Sequence, residues 1–180
     1  MSILSTLLIG LLGVMSLQAV LWLFSGKGQQ PAWSDVGWVG GIGLLALFYG
    51  VTGSGDSLRR IVFIVLPCIW ALRLGMHLYL DRVVGSEVDS RYETAREDWG
   101  ELAARNFFIF FQIQAFLSFI LSIPFFFASR DPGPLSVQVL MVGSLVFVLA
   151  VIGEWVADYQ LARFKKVGSQ ASSVCTDGLW

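Results

Sequence analysis

The sequence predicts an all-α fold, a polytopic transmembrane bundle of about five membrane helices plus a short interfacial helix. Composition is the first observation: 56% of the 180 residues are hydrophobic and 14% are charged, whereas soluble domains average about 25% charged. The second is the mean hydropathy of +0.71, which is distributed over five apolar runs separated by polar or Gly/Pro-rich turns. Runs of this kind are typical of an integral membrane protein.

The first two apolar runs predict helices over residues 3–24 and 36–51. No Lys or Arg precedes the first run, so it lacks the basic start of a secretory signal peptide and is expected to be a retained membrane helix. Tyr49 is the only phenol of the second run. Small residues allow membrane helices to pack closely, and the first half of the second run contains four glycines: Gly37, Gly40, Gly41 and Gly43.

The third run, residues 61–80, carries two ionisable residues, Arg73 and His77. They are four positions apart and therefore share one face of the helix. A charged Arg near the middle of a bilayer costs about 2.5 kcal/mol or more, so such residues usually serve a function. The alternative is that Arg73 pairs with a carboxylate elsewhere in the bundle.

A charged segment over residues 81–96 follows the third helix and is predicted to be a loop. It alternates arginines and carboxylates with one aromatic ring, and includes Arg91 and Tyr92. Planar guanidinium groups suit phosphate, which they bind through two parallel hydrogen bonds. The segment is thus a candidate for binding a phosphorylated ligand, and the alternative is an ordinary solvated connection.

The remaining chain predicts an interfacial helix over 97–105, a fourth membrane helix over 106–128 and a fifth beginning near residue 135. The fifth run is apolar through residue 152, continues with charged residues and leads into a polar tail. Residues 1–166 are therefore expected to form the bundle, with a cytosolic loop at 81–105, and residues 167–180 a cytosolic tail. Three polar residues of the fourth helix recur every four positions, as in a stripe that holds helices together: Gln114, Ser118 and Ser122.

Composition argues against two classes of function. The net charge is -1, and no basic stripe indicates binding to nucleic acid. One histidine and two separated cysteines, Cys68 and Cys175, are too few to predict a metal site or a disulfide framework.

Loop charges predict the orientation of the helices. If all five span, three basic residues lie on one side, Arg59, Arg60 and Arg130. Eight lie on the other: Lys27, Arg82, Arg91, Arg96, Arg105, Arg163, Lys165 and Lys166. The positive-inside rule then places the N-terminus outside and the C-terminus in the cytoplasm, in what we expect to be a bacterial inner membrane.

Four short motifs carry a family resemblance: LRLGMHL at 72–78, DSRY at 89–92, GEWVADYQLARFK at 153–165 and CTDGLW at 175–180. In this order they resemble the bacterial DUF1295 proteins, of the membrane steroid 5-alpha-reductase and isoprenylcysteine methyltransferase superfamily. The resemblance covers essentially the whole chain. In that family an Arg-His-Pro-Asn-Tyr type motif follows the Gly-Leu-Trp element, so this chain is expected to represent the N-terminal portion of such an enzyme.

The resemblance implies a reductase that uses NADPH to reduce a carbon-carbon double bond conjugated to a carbonyl in a lipophilic substrate. A hydrogen-bond donor would polarise the carbonyl. Reductases of the superfamily place a Gln/Glu pair in an early helix, where this chain offers Tyr49. The resemblance implies His77 and Tyr49 as catalytic residues, and the following as cofactor-binding residues: Arg73, Arg91, Tyr92, Glu154, Asp158, Arg163 and Lys165.

Two other functions are compatible with the sequence. One is a membrane methyltransferase of the isoprenylcysteine type that uses S-adenosylmethionine. The other is a non-catalytic helical bundle that pairs with another membrane subunit or a second copy, as the small residues of the second helix permit. In each case membrane lipid surrounds the protein.

Overall fold

Every regular element in the part of the chain that the structure describes is helical. The computed structural model describes residues 2–85, 90–166, 174–176 and 178–180, without the side chains of 165 and 166. The α-helices are α1 (Ile3–Phe24), α2 (Trp33–Thr52), α3 (Ser57–Leu78), α4 (Ser90–Trp99), α5 (Ala103–Ala128) and α6 (Val137–Lys166). A π-helical turn, Tyr79–Val84, extends α3, and a 3-10 turn, Gly100–Leu102, joins α4 to α5.

Among the described residues, five helical segments are long and apolar enough to cross a membrane, which confirms the predicted fold class. They contain α1, α2, α3 with its π-helical turn, α4 together with α5, and α6. The helix α4 is different, since it is short and polar and buries none of its residues.

The structure corrects two predicted boundaries. α3 begins at Ser57 rather than residue 61, because the Asp56 side chain accepts a hydrogen bond from the Arg59 backbone N–H at 2.9 Å and caps the helix. The predicted loop over 81–96 is wrong where residues 81–84 and 90–96 are helical, and the predicted interfacial helix over 97–105 is wrong in its position. Residues 90–99 are helical instead, because aromatic side chains of α4 pack on α5, with the Trp99 and Phe107 ring centroids 4.9 Å apart.

The chain divides into two compact units, residues 1–134 and 135–180. In the second unit the chain end folds back on α6. The Trp180 indole Nε1 donates to the Ala157 carbonyl at 2.7 Å, and the Leu179 N–H donates to Gln160 Oε1 at 2.9 Å. The sequence-based boundary between bundle and tail at 166/167 stays a prediction.

The first unit is built around α2, which packs against α1, α3 and α5. Three glycines allow this approach from three directions. A Cβ on Gly37 would overlap Leu21 of α1, one on Gly41 would lie 3.1 Å from Ser118 Oγ of α5, and one on Gly43 would lie 2.8 Å from the Ala71 Cβ of α3. Gly40 faces open space.

Polar groups of α5 reinforce its contact with α2. The fully buried Ser118 donates to the Trp38 carbonyl at 2.9 Å, which joins the two helices. Ser122, also fully buried, donates to the Phe119 carbonyl of its own helix at 2.7 Å. Within the predicted stripe, Ser118 therefore joins two helices, whereas Ser122 forms a hydrogen bond within α5.

The two ends of this unit are built from different connections. At one end the α2–α3 connection pairs with residues after α5, where Gly55 N–H donates to the Ser129 carbonyl at 2.9 Å and Arg59 pairs with Asp131 at 2.6 Å. At the other end the α1–α2 connection meets α4, since Arg96 Nη2 donates to the Gly28 carbonyl at 2.6 Å. Within this unit the basic residues thus separate between the ends as the loop charges predict.

We expect Gly43→Ala to lower stability by roughly 1–3 kcal/mol, because both Cβ atoms are fixed to backbones and α3 must move away from α2. The matched control is Gly40→Ala in the same helix, which meets nothing within 4 Å and should be neutral or slightly stabilising. Thermal unfolding in detergent measures both variants. Equal melting temperatures for the two would contradict the packing described for α2.

Candidate functional site

A largely buried carboxylate that is still 14% exposed, that of Asp35, organises the end of the first unit where α4 lies. It stands in the first turn of α2, where the helix dipole favours a negative charge. Its side chain pairs with Arg82 Nη1 of the π-helical turn at 2.6 Å. The Tyr92 hydroxyl of α4 donates to its oxygens at 3.2 and 3.3 Å, and Gln114 Nε2 of α5 lies 3.5 Å away. One carboxylate therefore joins four helical elements.

Tyr92 is oriented by its ring as well as by its hydroxyl. Its centroid lies 6.4 Å from that of Phe107 and 6.0 Å from that of Phe110, both edge-on, an arrangement that aromatic rings favour. The Arg91 guanidinium lies 5.8 Å from the Tyr92 centroid. Packing on α5 and hydrogen bonding to Asp35 together hold this phenol in one place.

Arg96 fastens α4 to the α1–α2 connection. Besides donating to the Gly28 carbonyl, its guanidinium lies 5.2 Å from the Phe107 centroid. Gly28 has a φ of +84°, and a Cβ there would lie 2.6 Å from the Phe107 Cβ. Only glycine suits both the backbone conformation and the space. The Gly28 N–H donates to Ser25 Oγ at 2.9 Å, which completes a tight turn.

A cavity of about 390 Å³ lies between this connection and α4. Its size is within the usual range for small-ligand sites. The α4 wall combines a phenol, a guanidinium and two carboxylates, so it offers both donors and acceptors. The lining residues are Gln29, Pro31, Tyr92, Glu93, Arg96 and Glu97.

The structure places Arg73 and His77 in the last turns of α3, one turn apart and each half-buried. Arg91 is exposed on α4, next to the half-buried Tyr92. Four of the predicted site residues therefore belong to the segment from the end of α3 through α4. Their roles in cofactor binding and catalysis stay predictions.

Tyr49 is not part of this end of the unit. It lies 14 residues beyond Asp35 in α2, a rise of about 21 Å. It is fully buried, with its ring centroid 5.3 Å from that of Phe126. A Cβ on Gly10 would lie 2.7 Å from its hydroxyl, so α1 covers it closely. The structure places the Tyr49 side chain inside the apolar core, and its catalytic role stays a prediction.

The four remaining predicted site residues lie in the second unit, on α6. Glu154 and Asp158 are half-buried and one turn apart, and Arg163 is exposed. Lys165 belongs to the helix, and its side chain is outside the described residues. The contacts of the chain end with Ala157 and Gln160 fall on either side of Asp158 in sequence. Among described residues, no three His, Cys, Asp or Glu side chains converge as metal ligands do.

A comparison with protein families identifies the chain. The family described as "Protein of unknown function (DUF1295)" matches residues 21–180. The chain belongs to the DUF1295 family. No curated protein matches it, and no solved structure does.

The central residue of this DUF1295 site, Asp35, is absent from the sequence-based candidates. A signal was available, because Asp35 is the only acidic residue among residues 1–55. A lone carboxylate at the start of a glycine-rich apolar helix requires a partner in the fold. Glu93, Arg96 and Glu97 are also absent as a set from the sequence-based candidates, since the sequence predicts a loop through residue 96 and a separate helix from residue 97.

In this DUF1295 protein we expect Asp35→Asn to lower stability by about 2 kcal/mol, because it leaves the Arg82 charge partly buried without its carboxylate. Tyr92→Phe should cost about 1 kcal/mol, since it removes one hydrogen bond and keeps the ring. Chemical denaturation in detergent measures both, and Glu101→Gln at an exposed position is the control. Strict additivity in the Asp35→Asn/Tyr92→Phe double variant would show that the two side chains do not interact.

Proposed function

We propose that this DUF1295 protein is a membrane reductase of the steroid 5-alpha-reductase type. Such an enzyme reduces a carbon-carbon double bond conjugated to a carbonyl in a lipophilic substrate, with NADPH as hydride donor. Support comes from the motifs at 72–78, 89–92 and 153–165, which resemble those of the reductase superfamily.

The observation that carries the proposal is the grouping of arginines at one end of the first unit. Arg82 connects the π-helical turn to α2 through Asp35, and Arg96 connects α4 to the α1–α2 connection through the Gly28 carbonyl. We assign binding of the cofactor phosphates to Arg73 and Arg91, which come from the end of α3 and the start of α4. Guanidinium groups on two separate elements suit the several phosphates of NADPH.

Other residues receive roles by the same resemblance. Tyr92 offers a flat ring beside Arg91 for contact with the cofactor. On α6, Asp158 is assigned to the nucleotide together with Glu154, Arg163 and Lys165. The proposed donor to the substrate carbonyl is His77 or Tyr49, and a hydrogen bond there stabilises the enolate that forms as the double bond is reduced.

We further propose a bacterial inner membrane, with the N-terminus outside and the C-terminus in the cytoplasm. The excess of Lys and Arg at the end bearing α4 supports this orientation. It would give the arginine-rich end access to NADPH, which is a cytoplasmic metabolite.

The proposal is tested by titrating NADPH into the detergent-solubilised chain while following nucleotide fluorescence. We expect Arg91→Gln to weaken binding about tenfold, because it removes a charge-assisted contact to phosphate. Arg105→Gln, at an exposed position on α5, is the matched control and should leave affinity unchanged. Asp158→Ala is expected to weaken binding as well.

Two outcomes would overturn the assignment to a reductase. Thermal protection by S-adenosylmethionine and none by NADPH would indicate the methyltransferase. No response to either cofactor in a well-folded sample, with Asp158→Ala altering only assembly, would indicate a non-catalytic bundle.

The orientation makes a separate prediction. In a variant with Cys68 and Cys175 replaced by Ser, we expect a membrane-impermeant maleimide to label Ser54→Cys from outside intact cells. Glu101→Cys should react only in inverted vesicles, because it lies at the opposite end of the unit and both positions are exposed. The reverse pattern would contradict the proposed orientation.

A further inference from the structure

The cavity between the α1–α2 connection and α4 has its own charge pattern. Glu93, Arg96 and Glu97 stand at positions i, i+3 and i+4 of α4 and therefore share one face of the helix. Successive helical residues turn by about 100°, so Arg91 and Glu93 point about 200° apart. The cavity and the proposed phosphate ligand Arg91 therefore lie on different faces of α4.

The two glutamates are a like-charged pair that the described residues do not neutralise. Carboxylates four positions apart on a helix repel each other. Arg96 does not form an ion pair with either of them in the described part of the chain, because its guanidinium is directed to the Gly28 carbonyl and the Phe107 ring. Both glutamates are exposed at the cavity. A cationic group of a ligand would relieve their repulsion.

Arg96, in contrast, favours an anionic group on the ligand. A guanidinium with several donors in one plane can hold the Gly28 carbonyl and still present N–H groups to an anion in the cavity. Tyr92 and Gln29 add polar side chains to the same wall. The complementary ligand thus carries a phosphate and, a few bonds away, an ammonium group.

The position of the cavity relative to the membrane surface indicates the source of such a ligand. Three tryptophans surround this end of the unit. The Trp22 indole N–H donates to the Ala104 carbonyl at 3.2 Å, the Trp33 and Tyr79 ring centroids are 5.7 Å apart, and Trp99 packs on Phe107. Trp and Tyr are enriched at the headgroup level of membranes. The cavity therefore lies at the depth of lipid headgroups.

We propose that this cavity binds the headgroup of an aminophospholipid, with the phosphate on Arg96 and the primary ammonium between Glu93 and Glu97. A primary ammonium donates hydrogen bonds to both carboxylates, whereas an anionic lipid without an amine would be repelled by them. The headgroup ligands Glu93, Arg96 and Glu97 lie on a different face of α4 from Arg91, and the site shares Tyr92 with the proposed cofactor contacts. Failure to bind NADPH would leave it unaffected.

The test is native mass spectrometry of the full chain with equal amounts of phosphatidylethanolamine and phosphatidylglycerol. We expect phosphatidylethanolamine adducts to be favoured by about tenfold, and Glu93→Gln/Glu97→Gln to abolish the preference. Both positions are exposed, so this variant should fold, which circular dichroism checks. The matched control, Asp98→Asn/Glu101→Gln, changes the charge equally on the same segment, outside the cavity lining, and should retain the preference.

Soluble probes separate the lipid from a free metabolite. At high concentration phosphoethanolamine should displace the lipid adduct, and ethanolamine or inorganic phosphate alone should not, because each meets only half of the site. Three results would overturn the proposal: no preference in the natural chain, an unchanged preference in the Glu93→Gln/Glu97→Gln variant, or thermal stabilisation by phosphoethanolamine equal to that by the lipid at the same concentration.

Discussion

The close approach of three helices to α2 is the constraint on which the first unit depends. In a bilayer, apolar side chains gain little by meeting each other instead of lipid, so helices associate through dense packing and a few polar contacts. Gly37, Gly41 and Gly43 open three sides of α2 to α1, α5 and α3. That packing brings Trp38 within 2.9 Å of the Ser118 hydroxyl. It also brings the start of α2 together with the segments that form the site.

Asp35 forms the polar contacts at one end of this packed unit. A carboxylate that is largely removed from water is retained only when donors surround it. Arg82 of the π-helical turn and Tyr92 of α4 provide those donors. As a result α4, which buries none of its residues, is still held against the bundle. The polar helix owes its position to a few directed contacts and to the aromatic rings of α5.

This attachment gives the two faces of α4 different chemistry. One face carries Arg91, which the proposed reductase uses for the cofactor. The other presents Glu93, Arg96 and Glu97 to the cavity. Because Tyr92 contacts Asp35 and also lines that cavity, the packing of α2 and the shape of the cavity depend on one phenol. A bound headgroup would therefore rest against the same side chain that fixes α4.

Much of the fold could be predicted from the sequence, because apolar runs of membrane-crossing length have few alternatives once every backbone hydrogen bond must be made within the chain. The family resemblance was equally accessible, since it rests on short motifs such as GEWVADYQLARFK. The helix α4 could not be predicted, because its charged residues resemble those of a loop. It is the tertiary fold that brings Phe107 of α5 to Tyr92 and Trp99, whose rings pack on it.

The candidate site, like the fold, could be predicted only in part. Periodicity placed Arg73 and His77 on one face of one helix, which is a local property. The pairing of Asp35 with Arg82 joins residues 47 positions apart, and no local pattern encodes that distance. The sequence by itself determined which segments are helical and apolar. Only the tertiary structure decided which charges meet, because ion pairs between helices depend on how closely the glycines of α2 allow their backbones to approach.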